Sequence, residues 1–580
     1  MEITLVNGIS LYNAMISGAK RIINERKNLN KINVFPIADG DTGNNMSYMM
    51  ERIILEAIPS EDVSSTIESI ANAAISGSRG NSGIIFSEYL NGIYEALKGK
   101  ATIYLEEFHN AIINGINKAY KAVVNPIEGT ILTVMRKAFD INIEEIDFNQ
   151  YFKQTYAKAR IALEETTNEL EILKINKVVD AGAQGMTVFL DGMKYYFETG
   201  ESVEYLVIED DHEEIVHVID LDARYCTEAL LTDVNVSNDE IKEIFKDYGT
   251  SLIVSGRAER MRIHIHTNQP DEFFMKLRDY GKIIEQKVDD MIRQQQALSL
   301  GHSRIAIVTD TIADIPMELL DKYSIHLIPM NLLVDGVSYI DKVTITTDTF
   351  YKMLDTAESF SSAQPDKMTI ERNLDFLSDH YDNIIVLTVA SKLSGTYNAV
   401  LQYAKGNSKI KLFDTLQNSG SQGLIVYQVA QMVENKEPLE NIIKRIPELI
   451  KRTKIYVSVK TLKYMVKLGR VSKVTGLVAK LANLKPVISL GKNGEGIIKK
   501  KALSLRGNVK QIIRLAKQAP VESYVLVHSH AEKRALSLAK KLEKILGMKP
   551  QYITQISPIV AMNAGIGAIA VALTYNKEVE

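Results

Sequence analysis

The sequence contains 580 residues, too many for one hydrophobic core, so its length predicts three or four domains. Its hydrophobic fraction of 46% and charged fraction of 24% are those of a soluble globular protein. A single cysteine, Cys226, excludes an internal disulfide bond, and no secretion signal pattern is seen, so we expect a cytoplasmic location.

The charge is unevenly distributed, although the formal net charge is only −4. Residues 140–214 contain 18 acidic and 6 basic side chains, whereas residues 451–517 contain 18 basic side chains and one acid, Glu495. The basic stretch has only two aromatic residues, Tyr456 and Tyr464. It therefore lacks the interspersed aromatic side chains on which the bases of a single-stranded nucleic acid stack. We therefore expect no nucleic acid partner, but an anionic ligand or an acidic protein surface, such as the chain's own acidic half.

Residues 1–199 carry apolar side chains at spacings of three and four, which predicts amphipathic helices and almost no strands. The predicted helices span residues 8–28, 46–57, 63–76, 84–97 and 105–124. This part of the chain is therefore expected to be an all-α domain.

A turn at residues 33–46, Asn-Val-Phe-Pro-Ile-Ala-Asp-Gly-Asp-Thr-Gly-Asn-Asn-Met, follows the first predicted helix and carries Asp39 and Asp41. Two carboxylates at this spacing suit Mg²⁺, which prefers one or two of them together with substrate phosphates. Asn44 or Asn45 can cap the next helix and leave backbone N–H groups free for an anion. A surface turn explains the same residues. A calcium loop does not, because it needs Gly at its sixth and Glu at its twelfth position, and counted from Asp39 these positions are Asn44 and Met50.

Residues 77–83, Gly-Ser-Arg-Gly-Asn-Ser-Gly, precede the helix predicted from residue 84. Small residues at this point let backbone amides approach a phosphate closely, and the helix dipole adds to the attraction. The stretch is not a Walker A loop, because it lacks Gly-Lys-Ser/Thr, and a plain helix–helix turn fits it as well.

These two strings resemble the nucleotide-binding kinase domain of the dihydroxyacetone kinase family, most closely its bacterial fatty acid kinase branch. Two later strings resemble further elements of that family, although each alone also fits a capped helix end: Pro-Ile-Glu-Gly-Thr-Ile-Leu at 126–132 and Val-Asp-Ala-Gly-Ala-Gln-Gly at 179–185. The resemblance covers residues 1–199 and implies ATP and Mg²⁺ as cofactors, with Asp39 and Asp41 holding the metal. It also implies nucleotide contacts from Asn44, Asn45, Gly80, Asn81, Ser82, Thr130, Asp180 and Gly182.

The chain departs from the dihydroxyacetone enzymes at one position of the metal site. Those enzymes carry a third Asp a few residues upstream, where this chain has Asn33 and Val34. The number of metal ions, and whether Asn33 replaces the missing Asp, therefore stay open.

Residues 200–303 are predicted to form a middle domain, and an acidic run at residues 209–214 marks a solvated boundary near its start. Residues 260–266 alternate strictly between polar and apolar, which predicts a half-buried strand with His264 and His266 on one face. Together with Cys226, these histidines offer the mixed N and S ligands that suit Zn²⁺, although a polar strand face and a small buried thiol explain them equally.

The strings Cys-Thr-Glu at 226–228 and His-Ile-His-Thr at 264–267 resemble the middle domain of fatty acid kinases. The resemblance implies a Zn²⁺ held by Cys226, His264 and His266, in a structural rather than a catalytic role. It does not identify the fourth ligand.

From residue 304 onward, short β-branched runs alternate with helical segments, which predicts α/β architecture with a mainly parallel sheet. The runs are residues 305–308, 384–389, 410–413, 455–459 and 524–528. Polar residues follow the first two runs, where such sheets bind ligands, and the Ser/Gly turn at 391–396 suits a carboxylate or phosphate. No Gly-x-Ser-x-Gly elbow is present.

The uncharged residues 555–575 are long enough to span a bilayer, but Pro558 and two glycines interrupt them. They therefore predict a loop followed by a buried helix.

Four strings in this part resemble the DegV family of lipid-binding proteins: Thr-Asp-Thr-Ile-Ala-Asp-Ile-Pro at 309–316, Ser-Ala-Gln-Pro at 362–365, Lys-Leu-Ser-Gly-Thr-Tyr at 392–397 and Gly-Arg at 469–470. The resemblance implies a fatty acid partner whose carboxylate is bound by Ser362 and Ser394. It places Gly395 and Thr396 in the same motif, and Arg470 near the head group or the transferred phosphate.

The chain departs from the DegV family near its end. Asn563 stands where that family has the histidine of a His-x-Gly-Pro-Gly element. An asparagine can donate a hydrogen bond but cannot carry positive charge.

The sequence thus predicts an all-α kinase domain at 1–199, an α+β middle domain at 200–303 and an α/β DegV-like domain at 304–580. The expected function is ATP-dependent phosphorylation of a bound fatty acid, giving an acyl phosphate for phospholipid synthesis. An acyltransferase of that pathway is an expected partner, and a peripheral membrane contact and a homodimer stay open. The alternatives are a kinase of another small hydroxy or carboxy compound, as in the dihydroxyacetone branch, and a non-catalytic lipid carrier or sensor.

Overall fold

The computed structural model describes residues 3–35, 40–204, 223–299, 305–354, 356–461, 464–465 and 485–579. The chain forms two compact units, Met1–Ser299 and Leu300–Glu580. Two predicted site residues, Asp39 and Arg470, lie outside the described residues.

The first part of Met1–Ser299 is helical, as the apolar spacing predicts. Its elements in chain order are β1 (Leu5–Asn7), α1 (Gly8–Asn24), α2 (Arg26–Lys31), α3 (Thr42–Glu56), α4 (Val63–Gly77), α5 (Gly80–Leu97), β2 (Thr102–Tyr104), α6 (Leu105–Ala122), α7 (Ile131–Ala138), α8 (Phe148–Glu169), α9 (Glu171–Asn176) and α10 (Ala181–Thr199). Asp62, Asp147 and Asp180 cap α4, α8 and α10, because each carboxylate accepts a hydrogen bond from a backbone N–H of the first turn.

Helix α5 is the central helix of this part. Every residue from 83 to 94 is buried, and α4 and α6 pack against it. The apolar faces of the surrounding helices form one core with it. The first turn of α5 is therefore held in place by its neighbours on several sides.

The second part of this unit is a sheet with short helices. Its elements are β3 (Tyr225–Thr232), α11 (Asn238–Phe245), β4 (Thr250–Arg257), β5 (Arg260–Thr267), α12 (Pro270–Leu277), β6 (Lys282–Asp290) and α13 (Met291–Ser299). The strands are antiparallel in the order β4-β5-β3-β6. The predicted strand is confirmed as β5, but it is buried almost throughout rather than half-buried, because α4 and α5 pack against the sheet.

The unit Leu300–Glu580 alternates between strands and helices. Its elements are β7 (Ile305–Asp310), α14 (Met317–Lys322), β8 (Ile325–Ile328), β9 (Asn331–Val334), β10 (Val337–Ile340), α15 (Thr347–Leu354), β11 (Phe360–Ala363), α16 (Lys367–His380), β12 (Asn383–Thr388), α17 (Thr396–Ala404), β13 (Ile410–Asp414), α18 (Ser419–Glu434), α19 (Leu439–Arg452), β14 (Thr453–Ser458), β15 (Val487–Leu490), β16 (Gly496–Lys500), α20 (Leu505–Ala516), β17 (Val521–His528), α21 (Glu532–Leu546), β18 (Ile553–Gln555), α22 (Pro558–Ala564) and β19 (Ile569–Tyr575). The predicted α/β class is confirmed.

The strands of this unit form sheets of two kinds. One sheet has the order β13-β12-β7-β8 and is parallel, as predicted. A second has the order β16-β15-β14-β19-β17-β18 and is antiparallel except for the pair β17 and β18, so the prediction of a mainly parallel sheet is wrong there. Strand β19, the last of the chain, lies between β14 and β17 and is antiparallel to both, while β15 and β16 extend the sheet from β14 as further antiparallel strands. A small antiparallel sheet, β10-β9-β11, carries Ser362.

The prediction for residues 555–575 is also wrong in part. Helix α22 comes first, and the following apolar run is strand β19, not a helix. A central strand that is buried on both faces has apolar residues at nearly every position, so it shows no alternation that distinguishes it from a buried helix. No helix within the described ranges is long and apolar enough to cross a membrane.

Candidate functional sites

A cavity of about 50 Å³ lies where the starts of helices α3 and α5 meet the sheet of the middle domain. Its lining is polar and comes from three parts of the chain: Asn33, Phe35, Asp41, Thr42, Asn45, Arg79, Gly80, Asn81, Ser82, Cys226, His264 and Lys287. The structure thus brings five predicted nucleotide and metal residues together with two of the three predicted zinc ligands.

Asp41 lies at the N-cap of α3 without capping it through its side chain. The expectation that Asn44 or Asn45 caps this helix is wrong, because α3 begins at Thr42 and both asparagines lie in its first turn. Asn45 lines the cavity, whereas Asn44 is exposed and its N–H donates to the side chain of Asn30.

Two further side chains with oxygen atoms, Asn33 and Thr42, line the cavity together with Asp41. Asn33 is 5% exposed, and its Oδ1 accepts a hydrogen bond of 2.6 Å from the hydroxyl of Thr42. Carboxylate, amide and hydroxyl oxygens are the donors that Mg²⁺ prefers. The side chains of Asp41, Asn33 and Thr42 therefore fit a magnesium site.

The glycine-rich string forms the start of helix α5 itself. The helix begins at Gly80, four residues earlier than predicted, so Asn81 and Ser82 lie in its first turn. Gly80 has a φ of +63°, and a Cβ at this position would come within 2.8 Å of Asn45 Nδ2. Gly80 therefore permits both the turn and the close approach of the two strings. Its own N–H is not open to a ligand, because it donates to Oε1 of Glu228 at 2.8 Å.

Asp180 and Gly182 support the cavity from behind rather than lining it. A Cβ on Gly182 would lie 2.5 Å from Ser82 Oγ, so a glycine is needed to admit Ser82. Burial raises the pKa of Asp180 to about 7, against the opposing effect of backbone N–H donors that include Ala183 and Ile131. The carboxylate of Asp180 thus joins the starts of α10 and α7.

Thr130 does not line the cavity either. It occupies the N-cap position of α7, and its hydroxyl donates to the Ile127 carbonyl at 2.8 Å. The four predicted strings therefore converge in space, but only the first two line the cavity.

The candidate zinc ligands lie on two neighbouring strands of the middle sheet, β3 and β5. On neighbouring strands, Cys226 is directly opposite His266, and Glu228 is directly opposite His264. The two imidazole rings are 4.9 Å apart, which confirms that the histidines share a face. The ligand atoms of Cys226, His264 and His266 all lie within 4.8 Å of one another.

The chemistry of this cluster suits Zn²⁺. Cys226 Sγ is 3.9 Å from His264 Nδ1, and His264 Nε2 is buried without a hydrogen-bond partner in the described structure. Burial lowers the pKa of His266 to about 3, so this imidazole is neutral and able to bind a metal at physiological pH. Burial also holds the pKa of the Cys226 thiol well above its usual range, so binding of a metal would have to release that proton.

We expect purified wild-type protein to contain about one Zn²⁺ per chain, by metal analysis after dialysis. Cys226→Ala should lose most of this zinc, because two imidazoles alone hold the ion weakly. His109→Ala is the matched control, since this histidine contacts Tyr151 away from the cluster. Undiminished zinc in Cys226→Ala would contradict the proposed ligand set.

A second, larger cavity of about 200 Å³ lies within Leu300–Glu580. Most of its lining is apolar and comes from several strands and helices: Ile312, Met330, Ala363, Val389, Leu393, Ile455, Val457, Met465, Ile488, Leu490, Ile559 and Val560, with Gly395 and Gly496. Its polar side chains are Ser362, Gln364, Ser394, Asn418, Ser489 and Asn563. An apolar cavity with a few polar groups is typical of a site for an amphipathic ligand.

Ser394 is held by its neighbour in the turn after β12. Its Oγ lies 2.8 Å from the hydroxyl of Thr396, and it accepts a hydrogen bond of 3.3 Å from the Thr396 N–H. Thr396 is buried and does not line the cavity, so it positions Ser394 rather than contacting a ligand. Gly395 lines the cavity at the N-cap of α17.

Asn563 lines the cavity from helix α22. Its Nδ2 donates to the Ile559 carbonyl at 2.8 Å, whereas its Oδ1 is buried without a hydrogen-bond partner in the described structure. The position therefore offers a neutral amide where a histidine would offer a positive charge.

Several residues of these sites were not predicted. Arg79 lies inside the glycine-rich string, and Gln364 inside the string at 362–365, so both were within reach of sequence analysis. Lys287 lines the first cavity, and Glu228 contacts Gly80 beside it, only through the order of strands β5, β3 and β6. No short motif marks that order.

The fold and the two cavities define a protein that joins one unit, in which a polar cavity lies between helices and an antiparallel sheet, to an α/β unit with an apolar ligand cavity. Comparison with family models matches three stretches of the chain. Residues 36–195 match the DAK2 domain, residues 222–298 match the FakA-like middle domain of fatty acid kinase, and residues 304–576 match the DegV family. The chain thus carries all three domain types that the sequence strings predicted.

Curated relatives match about half of this chain. An uncharacterised protein of Staphylococcus saprophyticus is 30% identical over 313 residues, and one of Staphylococcus aureus is 31% identical over 314 residues. Each match covers 51% of this chain and 57% of the relative, so the chain spans little more than half the length of these relatives.

Solved structures of the DegV family also match about half of this chain. A DegV lipid-binding protein of Thermotoga maritima is 26% identical, with a TM-score of 0.42 over 48% of this chain and all of that one. A DegV-family protein of Thermus thermophilus, described as fatty acid binding, is 22% identical, with a TM-score of 0.44 over 47% of this chain and 99% of that one.

Proposed function

We propose that this protein is a Mg-ATP-dependent fatty acid kinase that carries its lipid-binding domain on the same chain. The observation that supports this most directly is the apolar cavity with hydroxyl groups in a chain that also carries the DAK2 domain and the fatty acid kinase-like middle domain. The products would be ADP and an acyl phosphate. An acyltransferase of phospholipid synthesis would be the partner that consumes the acyl phosphate.

The residues of the first cavity would bind and orient the nucleotide phosphates. Ser82 and Asn81 lie at the start of α5, where backbone N–H groups and the helix dipole attract an anion. Asp41, with Asn33 and Thr42, would hold Mg²⁺, which neutralises charge on the phosphates when it is bound. Phosphoryl transfer depends mostly on such positioning and charge neutralisation, so no covalent protein intermediate is required.

The residues of the second cavity would present the acceptor. The apolar walls would hold the acyl chain, and Ser362 and Ser394 would donate hydrogen bonds to the carboxylate. A carboxylate is already ionised at neutral pH, so it needs no general base. One of its oxygens would form a bond to the γ-phosphorus as the bond between that phosphorus and the β–γ bridging oxygen breaks, and the total charge is conserved without proton transfer.

The linkage of both domains on one chain favours this reaction. A tethered partner has an effective concentration of about millimolar when the linker can span the sites. The acceptor domain would therefore need no separate encounter step.

The first test is mass spectrometry of lipids extracted from natively purified protein, followed by ADP release with Mg-ATP and the acid that is found. We expect a bound fatty acid, and ADP release that depends on it. Dihydroxyacetone is the comparison acceptor, and ADP release with it instead of the acid would favour the other kinase branch. A bound acid without any ADP release would contradict the kinase and favour a lipid carrier or sensor, for which the neutral Asn563 is the motivating observation.

A further inference from the structure

Two buried charged side chains of the middle sheet hold the glycine-rich string at two points. Oε1 of Glu228 accepts a hydrogen bond of 2.8 Å from the N–H of Gly80, at the first residue of α5. Nη2 of Arg262 donates a hydrogen bond of 2.8 Å to the carbonyl of Ser76, in the last turn of α4. The loop between these two helices is thus fixed from the side of the middle domain.

Glu228 is surrounded by cationic groups as well. It is fully buried, and Lys287 Nζ lies 3.5 Å and Arg262 Nη1 4.0 Å from its carboxylate. These two cations lie on different strands, β6 and β5, on either side of the Glu228 carboxylate in the sheet order.

Stability alone does not explain this arrangement. Buried ion pairs contribute little net stability, because the cost of removing both charges from water offsets their attraction. Oε2 of Glu228 also has no hydrogen-bond partner in the described structure. We therefore explain this network by the groups that it holds in place, such as Gly80 at the start of α5, rather than by a contribution to stability.

The same carboxylate also faces the candidate zinc ligands. His264 lies directly across from Glu228 on β5, and its Nδ1 is 3.8 Å from Glu228 Oε1. A histidine that binds a metal through one ring nitrogen usually donates its other N–H to a carboxylate, which fixes the ring. Glu228 is the carboxylate beside Nδ1, within ion-pair distance, and Nε2, which has no hydrogen-bond partner in the described structure, is the ring nitrogen left for a metal.

We propose that Glu228 is a positioning residue that couples metal binding at Cys226, His264 and His266 to nucleotide binding at the start of α5. A metal on His264 orients this imidazole toward Glu228, and Glu228 in turn holds Gly80 and the first turn of the helix. Metal binding therefore strengthens nucleotide binding, and nucleotide binding strengthens metal binding by the same factor. This inference rests on the proposed function, because it takes the first cavity to be the nucleotide site.

The test measures the affinity of Mg-ATP in zinc-loaded and in chelator-treated protein, by displacement of a fluorescent nucleotide. We expect zinc removal to weaken Mg-ATP binding about tenfold in the wild type, within the usual range for coupled sites. The reciprocal measurement, zinc affinity with and without Mg-ATP, should give the same factor. Circular dichroism of both forms checks that zinc removal leaves the fold intact.

Glu228→Gln is the informative variant. The amide oxygen of the glutamine can still accept the hydrogen bond from the Gly80 N–H. The amide group is neutral, however, so it no longer places a negative charge beside His264. We expect this variant to bind both ligands with the coupling factor reduced to about twofold or less. Glu228→Asp, which keeps the charge but shortens the reach to Gly80, gives a second measurement if the Gln variant does not fold.

Glu88→Gln is the matched control. Glu88 is also a buried carboxylate of this unit and also accepts a backbone N–H, that of Gly256 at 2.9 Å, but it does not line the cavity. We expect full coupling in this variant. The inference alone is overturned if the wild type binds Mg-ATP equally with and without zinc, or if Glu228→Gln shows undiminished coupling. If Mg-ATP does not bind at all, the proposed function is overturned as well.

Discussion

Replacing Asp41 with Ala is expected to lower fatty-acid-dependent ADP release by about 10³-fold, the effect of removing one preorganised charge-stabilising group from a transfer site. Asp41 is the carboxylate among the described residues that line the first cavity, and it lies beside the oxygens of Asn33 and Thr42. Without it, the site loses a ligand for Mg²⁺ and the phosphates lose part of their charge neutralisation. Fatty acid content, measured by mass spectrometry of extracted protein, should stay at the wild-type level.

A second aspartate separates this loss of activity from loss of fold. The side chain of Asp41 does not cap α3, so Asp41→Ala removes no capping hydrogen bond. Asp62 does cap α4, and its carboxylate accepts from the Ser65 N–H at 2.7 Å. Asp62→Ala should therefore lower the melting temperature and leave ADP release per folded molecule unchanged, the opposite pattern to Asp41→Ala. If both variants lose activity in proportion to their stability, Asp41 has no special part in the reaction.

The first cavity was only partly predictable from the sequence. Asp41 and Asn45 lie in a string whose carboxylates and amides have a local meaning before a helix, whereas Asn81 and Ser82 were expected from the resemblance of the glycine-rich string to a kinase family. The position of Asp180 behind the cavity was not predictable from the sequence, because the same residue types cap helices and contact ligands. Only the packing of α10 against its neighbours distinguishes the two roles.

The residues that the middle sheet brings to the first cavity show more clearly what a single sequence does not predict. The alternation at 260–266 predicted a strand and placed His264 and His266 on one face, since that follows from the geometry of a single strand. Which residue lies across from His264 depends on strand pairing and register. Glu228 and Lys287 meet beside Gly80 for that reason, and a single sequence does not specify that pairing.

The same distinction applies to Leu300–Glu580. The apolar runs identified strands β7, β12 and β13, and the parallel sheet followed from the alternation of strands and helices. Strand β19 enters the other sheet between β14 and β17, from the far end of the chain, and is antiparallel to both. Such a long-range insertion leaves no local pattern.

Ser394→Ala is expected to weaken fatty acid binding about 10- to 100-fold, because a hydrogen bond to a charged group contributes about 1.5–3 kcal/mol. Ser394 lines the cavity, and Thr396 holds its hydroxyl in place, so little is lost to ordering this side chain when a ligand binds. Titration of delipidated protein with a fluorescent fatty acid measures the change. ADP release should fall only at low fatty acid concentrations, because the first cavity is untouched.

Ser489→Ala is the matched control for this prediction. Ser489 lines the same cavity and is 3% exposed, but it lies on β15 between the apolar side chains of Ile488 and Leu490. If the carboxylate is bound by Ser362 and Ser394, removal of the Ser489 hydroxyl should change the affinity by about twofold or less, since only the apolar part of the ligand would contact it. The reverse result, a loss of affinity in Ser489→Ala and none in Ser394→Ala, would mean that the acid lies in the cavity in the opposite direction and that its carboxylate is not presented by the Ser-Gly-Thr turn.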